Sequence, residues 1–402
     1  NPPIMGANIQ EDYPNYHSVT MRREMPRSTC RLCGECDIGC NYGSKNTLDY
    51  NYITAAIHQR PYPATVETLC EVKVIAPLAG AGYQVEFVRH NPAAIDPLTG
   101  KCPPPPRFTI TCKRLILAAG TFGSPYLLLR NRSAFPHLSP VTLGSRFSVN
   151  GDLLSFIQNS RERRNGQMVP RRLDPSFGPV ITSAIRVGDT LDGDGPQGRG
   201  FYTEDGGNPY LLSWFAELQG LPSTLKRALK FGKMRLKYRW GLNNDANLSA
   251  EIADLLGPAN ASMSSFPVLT MGRDFANGRL SLKGDLLECD WTQQKSQAYF
   301  DRVRRVGRSI AAALNAEYRD NPSYTYLHQI LTAHPLGGCP MGISREDGLV
   351  DSFGETFDYP GLYVVDGSVL PGPVGPNPSL TIAAIADRAA DHIIQQHTQE
   401  HA

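Results

Sequence analysis

Apolar residues recur along this chain at two spacings, and the alternation between them sketches a fold. From 46 to 59 the run NTLDYNYITAAIHQ sets Leu48, Tyr52, Ala55 and Ala56 on one face at helical spacing, which predicts a helix. Thr65–Ile75 and Tyr83–Arg89 alternate with period two around Gly80-Ala81-Gly82, which predicts two strands and a turn. Four consecutive prolines within 91–106 exclude helix and sheet alike there. Phe108–Ala118 is again strand-like and ends in Ala119-Gly120. Ser124 as N-cap, with Pro125 as the first helical residue, then predicts a helix through YLLLRN. Strand, glycine turn and helix in that order form one unit of a doubly wound α/β sheet.

Further along, Val180–Val187, Gly200–Thr203 and Arg279–Asp290 predict strands, while 210–256 and Gln294–Ala316 predict helices. The C-terminal part predicts a short strand over Leu362–Val365, a loop rich in Pro and Gly, and a helix from Ser379 to Gln396. The pattern as a whole implies a mixed α/β protein in four stretches. Residues 1–29 are an extended lead-in, 30–150 hold parts of the α/β domain, 151–330 form a second domain, and 331–402 return to the first. Because the chain begins Asn1-Pro2-Pro3 and then resembles the middle of a fold, its start reads as a processed or incomplete N-terminus.

Composition narrows the classes. With 41% hydrophobic and 19% charged residues the chain is of ordinary globular type, and its net charge of +2 gives no whole-molecule field directed at nucleic acid. The apolar runs are too short to cross a bilayer. One local exception is 225–240, where Lys226, Arg227, Lys230, Lys233, Arg235, Lys237 and Arg239 interleave with Leu225, Leu229, Met234, Leu236, Tyr238 and Trp240. Such a stretch either lies on an anionic membrane surface or packs its apolar face on the domain, the second being the commoner arrangement. Nine cysteines, an odd number scattered through a long chain, point to reduced thiols and a cytoplasmic setting, with 225–240 as the candidate membrane-associated segment.

Three motifs carry candidate chemistry. Gly193-Asp-Gly195-Pro-Gln-Gly198 fits the dinucleotide fingerprint by letter, but Pro196 interrupts it and no helix follows to receive a pyrophosphate, so it reads as a surface loop. Cys30, Cys33, Cys36 and Cys40 have the ligand spacing of a bacterial iron–sulfur site; the alternative is four reduced thiols in a glycine-rich turn. His334 opens HPLGGCPMG, a glycine-rich turn where backbone can approach a ligand. Forty-odd residues later Asn377-Pro378-Ser379 leads into the last helix, setting an amide beside a helix N-terminus, a pairing suited to developing negative charge.

HPLGGCPMG, LYVVDGSVLPGPVGPNPSLTIAAIADRAADHII and RLILAAGTFGSPYLLL together resemble the GMC (glucose–methanol–choline) flavin oxidoreductases, and GSKNTLDYNYITAA and LGSRFSVNGDLL are similar to the cholesterol oxidase-like bacterial branch. The resemblance covers most of 30–160 and 265–395. It implies a Rossmann-like FAD-binding domain and a substrate domain on a largely antiparallel sheet. It implies that His334 and Asn377 stand at the active site, that Glu204 is a carboxylate base, and that Val72, Ala119, Asn150, Gly151, Asp366, Gly367, Asn377 and Pro378 lie at the FAD. The glycine-rich FAD-pyrophosphate turn of such enzymes is missing here, so a separate N-terminal fragment or chain is expected to complete the site. Three readings follow. One is oxidation of a lipophilic, steroid-like alcohol. Another is a dehydrogenase subunit passing electrons through an iron–sulfur cluster at Cys30–Cys40 to a protein acceptor or quinone. The last is a non-catalytic lipid-binding relative.

Overall fold

The computed structural model describes residues 12–13, 27–36, 38–40, 43–97, 99–173, 178–189, 199–207, 229–236 and 263–400. Strands β1 (Asp12–Tyr13) and β2 (Arg27–Ser28) pair antiparallel, and helix α1 (Tyr52–His58) follows. The expected face of α1 is not its buried one: Leu48 and Tyr52 are exposed, and Thr54 is the buried residue of the helix. Strands β3 (Cys70–Pro77), β4 (Tyr83–Arg89) and β5 (Arg107–Cys112) form an antiparallel sheet. The single strand expected over Phe108–Ala118 is two. It breaks at Lys113-Arg114, so that Cys112 pairs with Tyr83 while β6 (Leu115–Leu117) belongs elsewhere. One apolar run serves two layers, which periodicity alone does not reveal.

After β6 comes α2 (Gly120–Arg130). It starts earlier than Ser124-Pro125 implied, and Pro125 lies inside it. The reason is tertiary: the Asp366 carboxylate accepts the Gly120 N–H at 2.8 Å and the Ser124 hydroxyl at 2.5 Å, capping the helix from outside its own sequence.

A five-stranded antiparallel sheet forms the second layer. Strand β7 (Leu153–Gln158) is followed by the hairpin β8 (Arg161–Arg164) and β9 (Gln167–Pro170), then β10 (Ala184–Val187), β11 (Phe201–Asp205) and β12 (Phe266–Gly272). The strand expected over Arg279–Asp290 is a hairpin of β13 (Arg279–Lys283) and β14 (Leu286–Asp290), turned at Gly284. Helix α3 (Gln297–Ala313) buries Tyr299, Phe300, Val303, Gly307 and Ala311, a stripe at i, i+4 spacing. Strand β15 (Glu317–Asp320) then closes the sheet in the order β10-β11-β12-β7-β15, and a short helix α4 (Pro322–Leu327) follows. Alternation along β11 sends Phe201, Thr203 and Asp205 to one face, with Phe201 against Tyr299 of α3, and Tyr202 and Glu204 to the other.

Strand β16 (Leu362–Val364) pairs parallel with β6, the arrangement expected of the α/β layer, and α5 (Ser379–Glu400) ends the fold. Leu117, Leu128, Phe135, Leu362 and Val364 form the core of this layer with Ile75 and Val85 of the neighbouring sheet. Of the helix expected over 210–256, only 229–236 is described; it is helical, and Leu229 and Leu236 are exposed on it. Gly193–Gly198 lies outside the described residues. Among those described, no helix is long and apolar enough to cross a membrane.

Gly151 seats the turn before β7 against the second layer. Its φ of +64° is in the left-handed region, and a Cβ there would run into the Tyr299 hydroxyl and the Gly272 carbonyl. Gly151→Ala is expected to cost at least ~1–2 kcal/mol of stability, read from urea unfolding midpoints. An unchanged midpoint would mean that the second layer does not depend on this approach.

Candidate active site

The turn Asn150-Gly151-Asp152, just before β7, organises the site. The Asn150 side chain holds one arm of it. Its Oδ1 accepts the backbone N–H groups of Val374 (2.9 Å) and Gly375 (3.1 Å), and its Nδ2 donates to the Pro376 carbonyl (3.1 Å). That clamp fixes the loop ending in Asn377. Gly151 anchors the turn itself, accepting the Tyr299 hydroxyl at 2.8 Å on its carbonyl, while Gly272 N–H donates to the Asn150 carbonyl at 2.9 Å. Asp152 holds the other arm: its carboxylate takes His334 Nδ1 at 2.9 Å and the backbone N–H groups of Ala333 (2.7 Å) and His334 (3.0 Å).

The segment after His334 is held by backbone on both sides. Leu336 exchanges two hydrogen bonds with Ser148, and Gly337, Cys339 and Met341 donate to Gly367, Ser368 and Val369. Gly337 has φ +85°, and a Cβ on it would collide with the Arg146 carbonyl, so the close passage needs glycine.

Glu204 arrives from β11 on the sheet face opposite α3. Asn377 Nδ2 donates to Glu204 Oε2 at 3.4 Å, and Glu204 also raises the proton affinity of His334 through its charge. The three residues expected to carry chemistry, His334, Asn377 and Glu204, thus meet although 130 and 43 positions separate them along the chain.

Their electrostatics differ. Burial pushes the Glu204 carboxyl above the usual carboxylate range, with the Asn377 hydrogen bond and the His334 charge pulling the other way. Burial pulls His334 down, but the Asp152 hydrogen bond and charge, with Glu204, more than offset this, and the net direction is up. Beneath them Asp274, wholly buried, is pushed up to about 6 by burial, while bonds from Ser148 (2.5 Å) and the Val149 N–H (3.2 Å) oppose the rise.

The raised Glu204 has a thermodynamic consequence. A carboxyl with a folded pKa above its unfolded one binds its proton more tightly in the folded state, so ionisation works against folding. That cost is absent below the ordinary glutamate range, builds as pH rises from there to the folded value, and is constant above it. Glu204→Gln is therefore expected to raise the unfolding temperature, and by more at neutral pH than at a pH below the ordinary glutamate range. A gain that does not grow with pH would contradict it.

The remaining residues expected at a cofactor are spread over two layers. Ala119 caps α2 at the carboxyl end of β6, and Asp366-Gly367 follows the neighbouring end of β16. Both Asp366 oxygens are consumed internally, one by Gly120 and Ser124, the other by the Ser368 N–H and hydroxyl. Pro378 precedes α5. Val72 lies apart on β3, beside a bulge, packed against the core that contains Leu117 and Val369.

Cys30, Cys33, Cys36 and Cys40 line one small cavity of about 20 Å³ with Gly34 and Gly39. Burial raises the Cys30 thiol, the Leu32 N–H opposes, and the other three thiols add to the rise. All four are free thiols, and among the described residues no group of three His, Cys, Asp or Glu is arranged to hold a metal ion. A larger cavity of about 550 Å³ has walls of Ile185, Thr203, Val268, Ile310 and Leu314, with Glu204 at its border. Strand alternation sets Ile185, Thr203 and Val268 on the α3 side, behind the His334 cluster.

Sequence reasoning missed Asp152. Its signal was present in SVNGDLL, directly after two residues that were singled out, but nothing local connects a carboxylate at 152 with an imidazole at 334.

Residues 275–386 match the family profile described as GMC oxidoreductase. This part of the chain belongs to the GMC oxidoreductase family. Similarity to individual proteins extends further. A cholesterol oxidase of Acinetobacter baumannii is 27% identical over 384 residues, covering 93% of this chain and 63% of the relative. One of Mycobacterium tuberculosis is 28% identical over 387 residues, covering 90% and 59%. A long-chain-alcohol oxidase of Arabidopsis thaliana is 32% identical over 391 residues, covering 90% and 46%. Among solved structures, pyridoxine 4-oxidase from Mesorbium loti superposes with a TM-score of 0.51 at 16% identity, over 86% of this chain and 60% of that one, a likeness of fold. The chain therefore spans about three-fifths of the length of the cholesterol oxidases that it matches.

Proposed function

We propose that this GMC chain is the catalytic part of an FAD-dependent alcohol oxidoreductase acting on a lipophilic alcohol. The observation that carries the reading is the convergence of His334, Asn377 and Glu204 on one locus, with the imidazole fixed by a buried carboxylate. The residues present fit the ring end of FAD. The first N–H groups of α5, at Ser379, Leu380 and Thr381, precede its first intrahelical bond, from Ile382 N–H to the Pro378 carbonyl, and so are available beside Asn377 to a group that gains negative charge. The pyrophosphate end has no G-x-G-x-x-G turn between a strand and a helix among the described residues. Ile116 of β6 is half exposed at the border of a two-stranded parallel sheet, a kind of sheet normally covered and extended. We infer that polypeptide outside these 402 residues, a separate fragment or chain, completes the cofactor site. Denaturing mass spectrometry tests this: a lone 44.1 kDa species holding stoichiometric FAD would overturn it.

When bound, FAD supplies the acceptor for a hydride. The chain's own residues do the rest. His334 takes the hydroxyl proton as the carbinol hydride leaves, so the alcohol loses two electrons and two hydrogens and becomes a carbonyl. Asn377 orients the hydroxyl. The names of the relatives, cholesterol oxidase and long-chain-alcohol oxidase, support a lipophilic substrate. On a 3β-hydroxy-5-ene steroid the Glu204 carboxylate, its proton affinity raised by burial, takes and returns the proton of double-bond migration. Anaerobic mixing of the FAD-loaded protein with 3β-hydroxysteroids and long-chain alcohols tests the reading; bleaching of the flavin absorption by either class is the expected result, and no bleaching by both would refute it.

A second reading rests on Cys30, Cys33, Cys36 and Cys40 lining one cavity: these thiols would hold an iron–sulfur cluster, which would supply an electron relay to a protein partner or quinone. Iron and acid-labile sulfide in the purified protein, with visible absorption that survives flavin extraction, is its signature.

A further inference from the structure

Asp152 is wholly buried, and among the described residues its one ion-pair partner is His334. Its carboxylate is surrounded by donors. Oδ2 receives the Ala333 N–H at 2.7 Å and the His334 N–H at 3.0 Å, with the Thr332 hydroxyl at 2.9 Å, and Oδ1 faces His334 Nδ1 at 2.9 Å. A carboxylate so engaged can only accept, so Nδ1 must carry hydrogen, and in the neutral ring the lone pair is then at Nε2. The chain turn is gripped as well: two consecutive backbone N–H groups and the ring of the same residue end on one side chain.

We propose that Asp152 is a positioning residue for the reaction: it fixes the His334 ring and its Nδ1–H tautomer, so that Nε2 is the atom that receives the alcohol proton. The inference rests on the reading of His334 as the base. The proton from the substrate oxygen goes to Nε2; bound FAD would supply the acceptor for the carbinol hydride and its electron pair. Across Nδ1–H the Asp152 carboxylate stabilises the imidazolium that forms.

Asp152→Asn separates this role from packing. The three donors around Oδ2 hold the amide oxygen on their side, which turns the amide nitrogen towards Nδ1. A donor there forces hydrogen off Nδ1 and onto Nε2, removing the base from the substrate side. The expected result is that the FAD-loaded variant keeps its cofactor and unfolding temperature but reduces its flavin with alcohol about 10³–10⁴-fold more slowly, as loss of an imidazole-orienting carboxylate does elsewhere. The acid limb of kcat/KM should also move to lower pH, because Glu204 remains beside the ring but the Asp152 charge is gone, with Asp274 further below. Nitrogen-15 NMR of histidine-labelled protein, with His334→Ala to assign the signal, reads the tautomer directly: Nδ1–H in the unmodified protein and Nε2–H in Asp152→Asn. An Nε2–H signal in the unmodified protein overturns the proposal even if the variant does not fold. Turnover within about twofold of the unmodified protein, or parallel loss of FAD and thermal stability in a folded variant, overturns it too. Slow flavin reduction in His334→Ala beside normal reduction in Asp152→Asn would sink this inference alone, whereas normal reduction in His334→Ala would sink the proposed function.

Discussion

Replacing His334 with alanine is expected to slow alcohol-driven flavin reduction by about 10²–10⁴-fold, the range contributed by a positioned general base. FAD content should stay near that of the unmodified protein, because the imidazole is held by Asp152 and the backbone after it by Ser148 and Gly367. The pH dependence follows from the raised His334. Only the neutral ring accepts a proton, so kcat/KM should climb as pH passes upward through a value above the ordinary histidine range, and this limb should vanish in His334→Ala. Stopped-flow reduction across pH, with FAD measured after denaturation, checks both. Parallel loss of flavin and rate would assign His334 to cofactor retention instead.

The largest stability effect is expected at Asp366. Its carboxylate receives four donors: the Gly120 N–H, the Ser124 hydroxyl, and the N–H and hydroxyl of Ser368. It ties the start of α2 to the turn after β16 across 246 positions of chain. Asp366→Ala strands those donors in a buried setting. At roughly 1–3 kcal/mol for each unsatisfied group, and with neighbours that do not add fully, the loss should be about 3–5 kcal/mol. Chemical denaturation measures it. Asp366→Asn can accept on one side but presents donors to the other pair, so it should recover only part. A loss below ~1 kcal/mol in the alanine variant would mean that α2 is capped adequately without the carboxylate.

How much of this was legible before the structure depends on the range of the signal. Strand and helix rhythm located β4, α3, β16 and α5 well, because each apolar run belongs to a single element. It failed where one apolar run was shared by two partners. Phe108–Ala118 divides between two sheets, Arg279–Asp290 folds back on itself at Gly284, and α2 starts where a distant carboxylate caps it, not where Ser124 and Pro125 implied. Leu48 and Tyr52 have helical spacing yet face outward, since periodicity marks a face without saying what covers it.

The sequence by itself determined the residue types and short motifs: a histidine before a glycine-rich turn, an asparagine before a helix, and a family resemblance carried by whole phrases of sequence. These are local properties, set by backbone freedom and capping chemistry. Only the tertiary structure decided that Asn150-Gly151-Asp152 gathers them, that Asp152 orients His334, and that Glu204 reaches Asn377. Those contacts join positions more than a hundred residues apart, and the energy that selects them comes from burying polar groups with partners, which no stretch of sequence holds alone.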